Sequence, residues 1–189
     1  MIKRIEVVGV MGLPCTGKTT FINMMITQLK HYRLKINKYK MSDFIYKKLK
    51  CLEIESTKEN MIWLSNILTS RFGKDYWTNV VYKDIVSLEK EYDVIFIETG
   101  YMFKELMRLK QKIKNMIIVG IIVDEVLLKE RVLEKESDPQ KTLEIIDKFK
   151  DKFYILVNDA NYIINNSANV GQLSNEIKIF LKKYLLRGI

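Results

Sequence analysis

A chain of 189 residues, 48% of them hydrophobic, suits one domain with a real core and leaves little room for two. Its two cysteines, Cys15 and Cys51, make neither a disulfide framework nor a ligand cluster, which excludes a small disulfide-stapled fold and fits a reducing, cytoplasmic setting. The net charge of +9 attracts phosphate-rich partners by simple electrostatics.

Met1-Ile2-Lys3-Arg4 with apolar residues behind it imitates a short signal peptide, but Glu6 interrupts the run, so no leader is expected. Ile5 to Val10 reads as a strand. Gly12-Leu13-Pro14-Cys15-Thr16-Gly17-Lys18-Thr19 follows at once and fits G-x-x-x-x-G-K-[ST] at every defined position. The glycines let several backbone N–H groups face one anion, and a helix opening at Lys18 adds the positive end of its dipole. Gly12, Pro14, Cys15, Thr16, Gly17, Lys18, Thr19 and Thr20 are therefore the expected ATP-binding residues. Lys18 is expected on the β- and γ-phosphates and Thr19 on Mg²⁺, which prefers oxygen ligands and keeps several waters. A helix N-terminus lowers the pKa of a thiol, so Cys15 is expected to be reactive.

Lys18 to Lys30 carries apolar residues at helical spacing. Leu34 to Lys40 alternates and predicts a second strand, with Ser42-Asp43 as N-cap of a short helix through Leu49. Ser56 with Glu59 makes a capping-box pattern for a helix to about Arg71, ended by Gly73, and another helix should run from about Asp75 to Glu91. Asp93 to Glu98 is a near-continuous apolar run closed by an acid, the pattern of a strand buried on both faces. Glu98 stands where a parallel sheet places chemistry, and is expected to hold Mg²⁺ through water or to orient the attacking group. The alternative for Glu98 is a strand-end acid facing solvent.

Met116 to Val123 is a further buried strand and the longest apolar stretch, far too short to span a bilayer. A helix from Glu125 to Lys135 follows. It carries Arg131, a candidate cation for the moving phosphate. Asp138-Pro139 marks a break before a helix over Thr142 to Val157. Tyr162 to Ile164 is a short strand running into Asn165-Asn166-Ser167, and Gln172 to Leu186 closes the chain as a helix. Strands alternate with helices throughout, which predicts an α/β fold: a five-stranded parallel sheet with helices on both faces.

Eight Lys/Arg between Lys30 and Lys50 oppose the single acid Asp43, and a second basic cluster runs from Lys104 to Lys114. The bland reading of both is a Lys-rich solvated surface. Asp43 is either a structural N-cap or a base for an acceptor hydroxyl. Trp63, Phe72, Tyr76 and Trp77 offer stacking faces to an acceptor, against the alternative that they are core.

In this order of elements the chain resembles the nucleoside and nucleoside-monophosphate kinase branch of P-loop proteins. Met41-Ser42-Asp43-Phe44-Ile45, Glu59-Asn60 and Phe72-Gly73-Lys74-Asp75 are similar to the adenylate-kinase-like and dephospho-coenzyme-A-kinase-like proteins of archaea. The resemblance covers nearly the whole chain. It implies one kinase domain over 1–189, with a helical acceptor-binding insert about 43–91 and a lid about 134–142. It further implies an ATP- and Mg²⁺-dependent phosphotransferase acting on a nucleotide-type small molecule. The chain departs from that pattern at three places: it has Tyr46 and Lys47 where relatives carry an Arg soon after the Asp, Glu98-Thr99-Gly100 where they have Asp-Gly at the third strand, and Glu134-Lys135-Glu136-Ser137 in place of an Arg-rich lid. Two rivals stand beside the first reading: a polynucleotide or modified-base DNA kinase acting on a hydroxyl, and a nucleotide-binding regulator that transfers nothing.

Overall fold

The structure, a computed structural model, describes residues 6–168 and 170–186. Ile5, the expected start of the first strand, and the Met1-Ile2-Lys3-Arg4 stretch lie outside the described residues. Five parallel strands form the sheet: β1 (Glu6–Met11), β2 (Ile36–Lys40), β3 (Val94–Thr99), β4 (Ile117–Ile122) and β5 (Tyr162–Asn165). Their spatial order is β2-β3-β1-β4-β5, so β1 lies at the centre between β3 and β4. The two-residue period of the apolar strands supplies a core on each face. Ile95 and Ile97 of β3 point to one side, Val94 and Phe96 to the other.

On the Phe96 side, α1 (Lys18–Lys30) contributes Phe21, Ile22, Met25 and Leu29, and α8 (Val170–Phe180) contributes Leu173, Ile177 and Phe180. A π-helical turn over Leu181–Leu185 continues α8. The opposite face carries α2 (Asp43–Cys51), α3 (Lys58–Phe72), α4 (Tyr76–Ser87), α5 (Phe103–Lys112), α6 (Glu125–Lys135) and α7 (Pro139–Val157). Among the described residues no helix is long and apolar enough to cross a membrane.

The predicted elements form with corrections at their ends and one addition. Thr57, not Ser56, caps α3, accepting from the Asn60 N–H at 3.1 Å, while Glu59 turns outward to Lys141. Asp138 caps α7 through the Lys141 N–H, and Pro139 takes the first turn, so this helix starts three residues before the expected Thr142. The addition is α5, which the sequence presents only as a basic cluster. Phe103, Leu106 and Leu109 are buried at a three-residue spacing and the lysines face outward. Its start has no side-chain cap; Thr99 Oγ1 instead accepts from the Met102 N–H at 2.9 Å.

Candidate active site

The phosphate loop runs off the centre of the sheet, from Met11 to the first turn of α1. Its path is fixed by sterics at two glycines. A Cβ on Gly12 would meet Thr16 Oγ1 at 2.5 Å and the Ile121 carbonyl at 2.8 Å, so no side chain fits there. Gly17 has a φ of 96°, a left-handed conformation that glycine adopts without strain, and a Cβ there would strike Asn166. Cys15 is also left-handed, at φ 60°.

The Leu13 carbonyl organises the interior of the loop. It accepts from Thr16 Oγ1 at 2.9 Å and from Lys18 Nζ at 2.8 Å. Lys18 is only 7% exposed. Burial pushes its ammonium down to about 8, with Lys40 adding to the fall and Glu98 opposing it. A buried ammonium resting on one carbonyl is poised for an anion.

Thr19, at the start of α1, donates its hydroxyl to Glu98 Oε1 at 2.9 Å and Oε2 at 3.1 Å. The two residues expected to share Mg²⁺ are thus side by side. Among the described residues no group of three or more His, Cys, Asp or Glu could hold a metal ion. One hydroxyl and one carboxylate nevertheless fit Mg²⁺, which is bound by few protein oxygens together with substrate phosphate and water.

Asp43 does not cap its own helix. Its Oδ2 accepts from the Lys40 N–H at 2.8 Å, tying the turn that leaves β2, and Ser42 at the N-cap position makes no side-chain capping bond. That turn lies beside the end of β3, since Lys40 pairs with Glu98 and the Met41 N–H donates to the Glu98 carbonyl at 2.9 Å. Asp43 and Glu98 therefore share the carboxyl end of neighbouring strands.

Arg131 donates from Nη2 to the Asn166 carbonyl at 3.0 Å. Asn166 in turn donates from Nδ2 to the Thr16 carbonyl at 2.9 Å and from its backbone N–H to Ile122 at 2.8 Å. The chain of contacts from α6 through the end of β5 clamps the phosphate loop from behind. Asn166 is buried. Sequence marks Asn166 only as the end of a short strand, because its partner Thr16 lies 150 residues away.

The thiol of Cys15 donates to Glu136 Oε1 at 3.5 Å, and Thr142 Oγ1 donates to Glu136 Oε2 at 3.3 Å. Burial first, then Glu136, push the Cys15 thiol up, opposite to the lowering expected from the helix N-terminus. Tyr101 stands near the same carboxylate, its phenol pushed up to about 12 by burial and by Glu136. Pro14 is half-buried in the loop, and Thr20 is exposed on the first turn of α1.

The expected lid is short: α6 ends at Lys135, Glu136 is extended, and α7 begins at Pro139. Lys141 Nζ reaches Glu59 Oε1 at 2.8 Å and joins this connection to the first turn of α3. Of the aromatic candidates, Trp77 is core at 3% exposure, whereas Trp63 and Phe72 are 49% and 59% exposed. Tyr76 stacks on Phe72 with centroids 5.4 Å apart.

No protein-family model and no curated protein matches the sequence. Solved structures do match in fold. The chain is similar to shikimate kinase from Bacteroides thetaiotaomicron, with a TM-score of 0.56 and 13% identity over 94% of this chain and 97% of that one. It is similar to shikimate kinase from Acinetobacter baumannii in complex with shikimate, with a TM-score of 0.54 and 16% identity over 100% and 97%. A sugar kinase from Janibacter gives a TM-score of 0.58 and 13% identity over 96% and 94%. The narrower resemblance to archaeal adenylate-kinase-like proteins rests on the sequence motifs alone. With a phosphate loop on the central strand of a 2-3-1-4-5 parallel sheet and these neighbours, the chain has the P-loop kinase fold.

Proposed function

We propose that this protein is an ATP-dependent phosphotransferase that moves the γ-phosphoryl group to a nucleotide-type small molecule. The observation that carries the reading is the Thr19–Glu98 contact beside the buried Lys18, a hydroxyl, a carboxylate and an ammonium where a metal–triphosphate would lie. Kinase neighbours of the same fold support it.

In this reading the loop amides and the N-terminus of α1 hold the phosphates, and Lys18 bridges them. Mg²⁺, held by Thr19 and by Glu98 through water, would neutralise charge on the phosphates. Arg131 acts on the loop by holding Asn166. The acceptor lies between the Lys30–Lys50 segment and the helical insert, with Asp43 and Glu98 at the strand ends beside it. Catalysis then rests on positioning and charge neutralisation. The cytoplasmic setting is part of the same reading.

The test is ATP turnover against nucleosides, nucleoside monophosphates, dephospho-coenzyme A, shikimate and DNA, with Lys18→Ala as control. Acceptor-dependent ADP release that Lys18→Ala abolishes supports the reading. Turnover unchanged in that variant sinks it.

A further inference from the structure

The helix α3 is apolar on two sides and packed on one. Of its fifteen residues only Leu64 is fully buried, and Met61 and Leu68, three residues before it and four after, pack beside it on the core. The side turned away from that core carries Ile62, Trp63 and Ile67, which are 60%, 49% and 42% exposed. A helix that is apolar all round is ordinarily covered all round, and clustered exposed apolar side chains mark a place of association.

The order of residues along the bare side says what covers it. Glu59, Trp63, Ile67 and Arg71 follow one another at intervals of four, the spacing of a single ridge on a helix surface. Glu59 stands in the first turn and Arg71 in the last. Each charge suits the dipole of its own helix end, but the dipole gives no reason for the apolar pair between them. Turned end for end about Ser65, the ridge presents Arg71 to Glu59 and Ile67 to Trp63, so it is complementary to itself. Asn66 and Ser70, both exposed, lie beside it and bring no charge. Glu59 is bonded through Oε1 to Lys141, yet its side chain is 68% exposed, and a carboxylate accepts from two cations through its two oxygens.

We propose that this ridge is a dimer interface, in which two copies of the chain pack α3 on α3 in antiparallel fashion about a twofold axis near Ser65. Trp63 of each copy lies against Ile67 of the other, and Glu59 of each faces Arg71 of the other. The contact is isologous, the commonest way for a soluble chain to close on itself, and an unrelated partner would need no such symmetry in the ridge. Because α3 is about 22 Å long, the contact falls short of the roughly 1,200 Å² at which stable interfaces begin, and the dimer is a reversible one with a dissociation constant on the order of micromolar. The apolar pair supplies its affinity, and the exposed charges fix partner and direction.

The experiment is sedimentation velocity on the full chain across roughly 1 to 300 μM, with Trp63 emission followed over the same range. A reversible monomer–dimer equilibrium is expected, with emission moving to shorter wavelength as the dimer forms, since Trp77 is buried throughout. Ile67→Glu and Trp63→Ser alter exposed side chains, so they should keep the helical circular dichroism while weakening the dimer about tenfold or more. Glu59→Arg and Arg71→Glu, each alone, set like charges opposite each other and should also weaken it about tenfold. Mixing those two variant chains makes both pairs opposite in charge again, and should restore dimerisation to within about threefold of the unaltered chain. Such rescue occurs only if residue 59 of one copy meets residue 71 of the other. A chain monomeric at every concentration overturns the inference, as does a dimer indifferent to both Ile67→Glu and Trp63→Ser. Absence of rescue on mixing overturns the antiparallel pairing. A monomer whose Trp63 emission responds to added nucleoside or single-stranded DNA gives the face to that ligand and overturns the inference as well.

Discussion

Asn166 Nδ2 donates to the Thr16 carbonyl at 2.9 Å, joining the end of β5 to a loop 150 residues earlier in the chain. Both residues are buried, so the bond is shielded from water and removing one partner strands the other. Asn166→Ala should lower stability by about 1–3 kcal/mol. It should also weaken Mg–ATP binding, because Gly17 packs directly on the Asn166 amide. Urea unfolding and calorimetric titration check the two effects. Full stability together with full affinity would show that the clamp is idle.

Lys18 yields a pH-dependent expectation. Its folded-state pKa, about 8, lies below its ordinary 10.5 because burial penalises the ammonium. Below pH 8 the group is charged in both the folded and unfolded chains, and the desolvation cost is fully present. Between 8 and 10.5 the unfolded chain binds more protons than the folded one, so the stability of the unliganded protein rises across that window. Lys18→Met should therefore stabilise the unliganded protein at pH 7 by up to about 3 kcal/mol, with the advantage gone above pH 10.5. Mg–ATP binding should take up protons near pH 8 to 9, since phosphate favours the ammonium. Calorimetry in buffers of different ionisation enthalpy reads that uptake directly.

The Cys15 thiol should alkylate slowly at neutral pH, because burial and Glu136 disfavour its thiolate. Exposed Cys51 serves as the internal reference. Glu136→Gln should speed labelling of Cys15 by removing a negative neighbour, and Mg–ATP should protect it. Labelling of Cys15 at the rate of Cys51, unaffected by Glu136→Gln, would contradict the contact.

Features legible in the sequence are those whose chemistry is local. Gly12, Gly17, Lys18 and Thr19 are set by the loop's own geometry, and the strand ending at Glu98 announces itself by an uninterrupted apolar run. Features that arise only when distant segments meet were illegible. Asn166 on Thr16 and Glu136 on Cys15 are examples, and the second reverses the expected effect of the helix terminus on the thiol. Asp43 shows a subtler limit: its position at a helix start was readable, but its direction, back onto the Lys40 N–H, was not. The helix α5 was hidden because lysines crowd its buried Phe103, Leu106 and Leu109, and no capping residue marks its start.

Thr19→Ala should leave nucleotide binding within about threefold but raise the Mg²⁺ concentration needed for half-maximal turnover, by about tenfold on the scale of one lost hard-oxygen ligand. Glu98→Gln should do the same, and the double variant should fall short of the sum, because the two side chains already touch. Magnesium titrations of all three variants check the coupling. Strict additivity would place the two residues on separate tasks.

The basic segment between Lys30 and Lys50 should bind nucleic acid only weakly. If it tracked a polynucleotide backbone, every phosphate contact would release counterions, and log affinity would fall against log salt by about 0.7 to 0.9 per contact. The surroundings of these residues argue for a shallower dependence. Lys38 Nζ is held by Asn23 Oδ1 at 2.9 Å, and Lys47 lies over the Phe44 ring at 5.3 Å. Lys47 and Lys50 line a depression that Glu53 and Glu55 also line, so positive charge is interrupted there. Single- and double-stranded DNA titrated at several salt concentrations should therefore show weak binding with a slope of about one or two contacts, and no stimulation of ATP turnover. A steep slope with DNA-stimulated turnover would instead move the hydroxyl acceptor onto a polynucleotide, leaving the phosphate loop, Thr19 and Glu98 in their present roles.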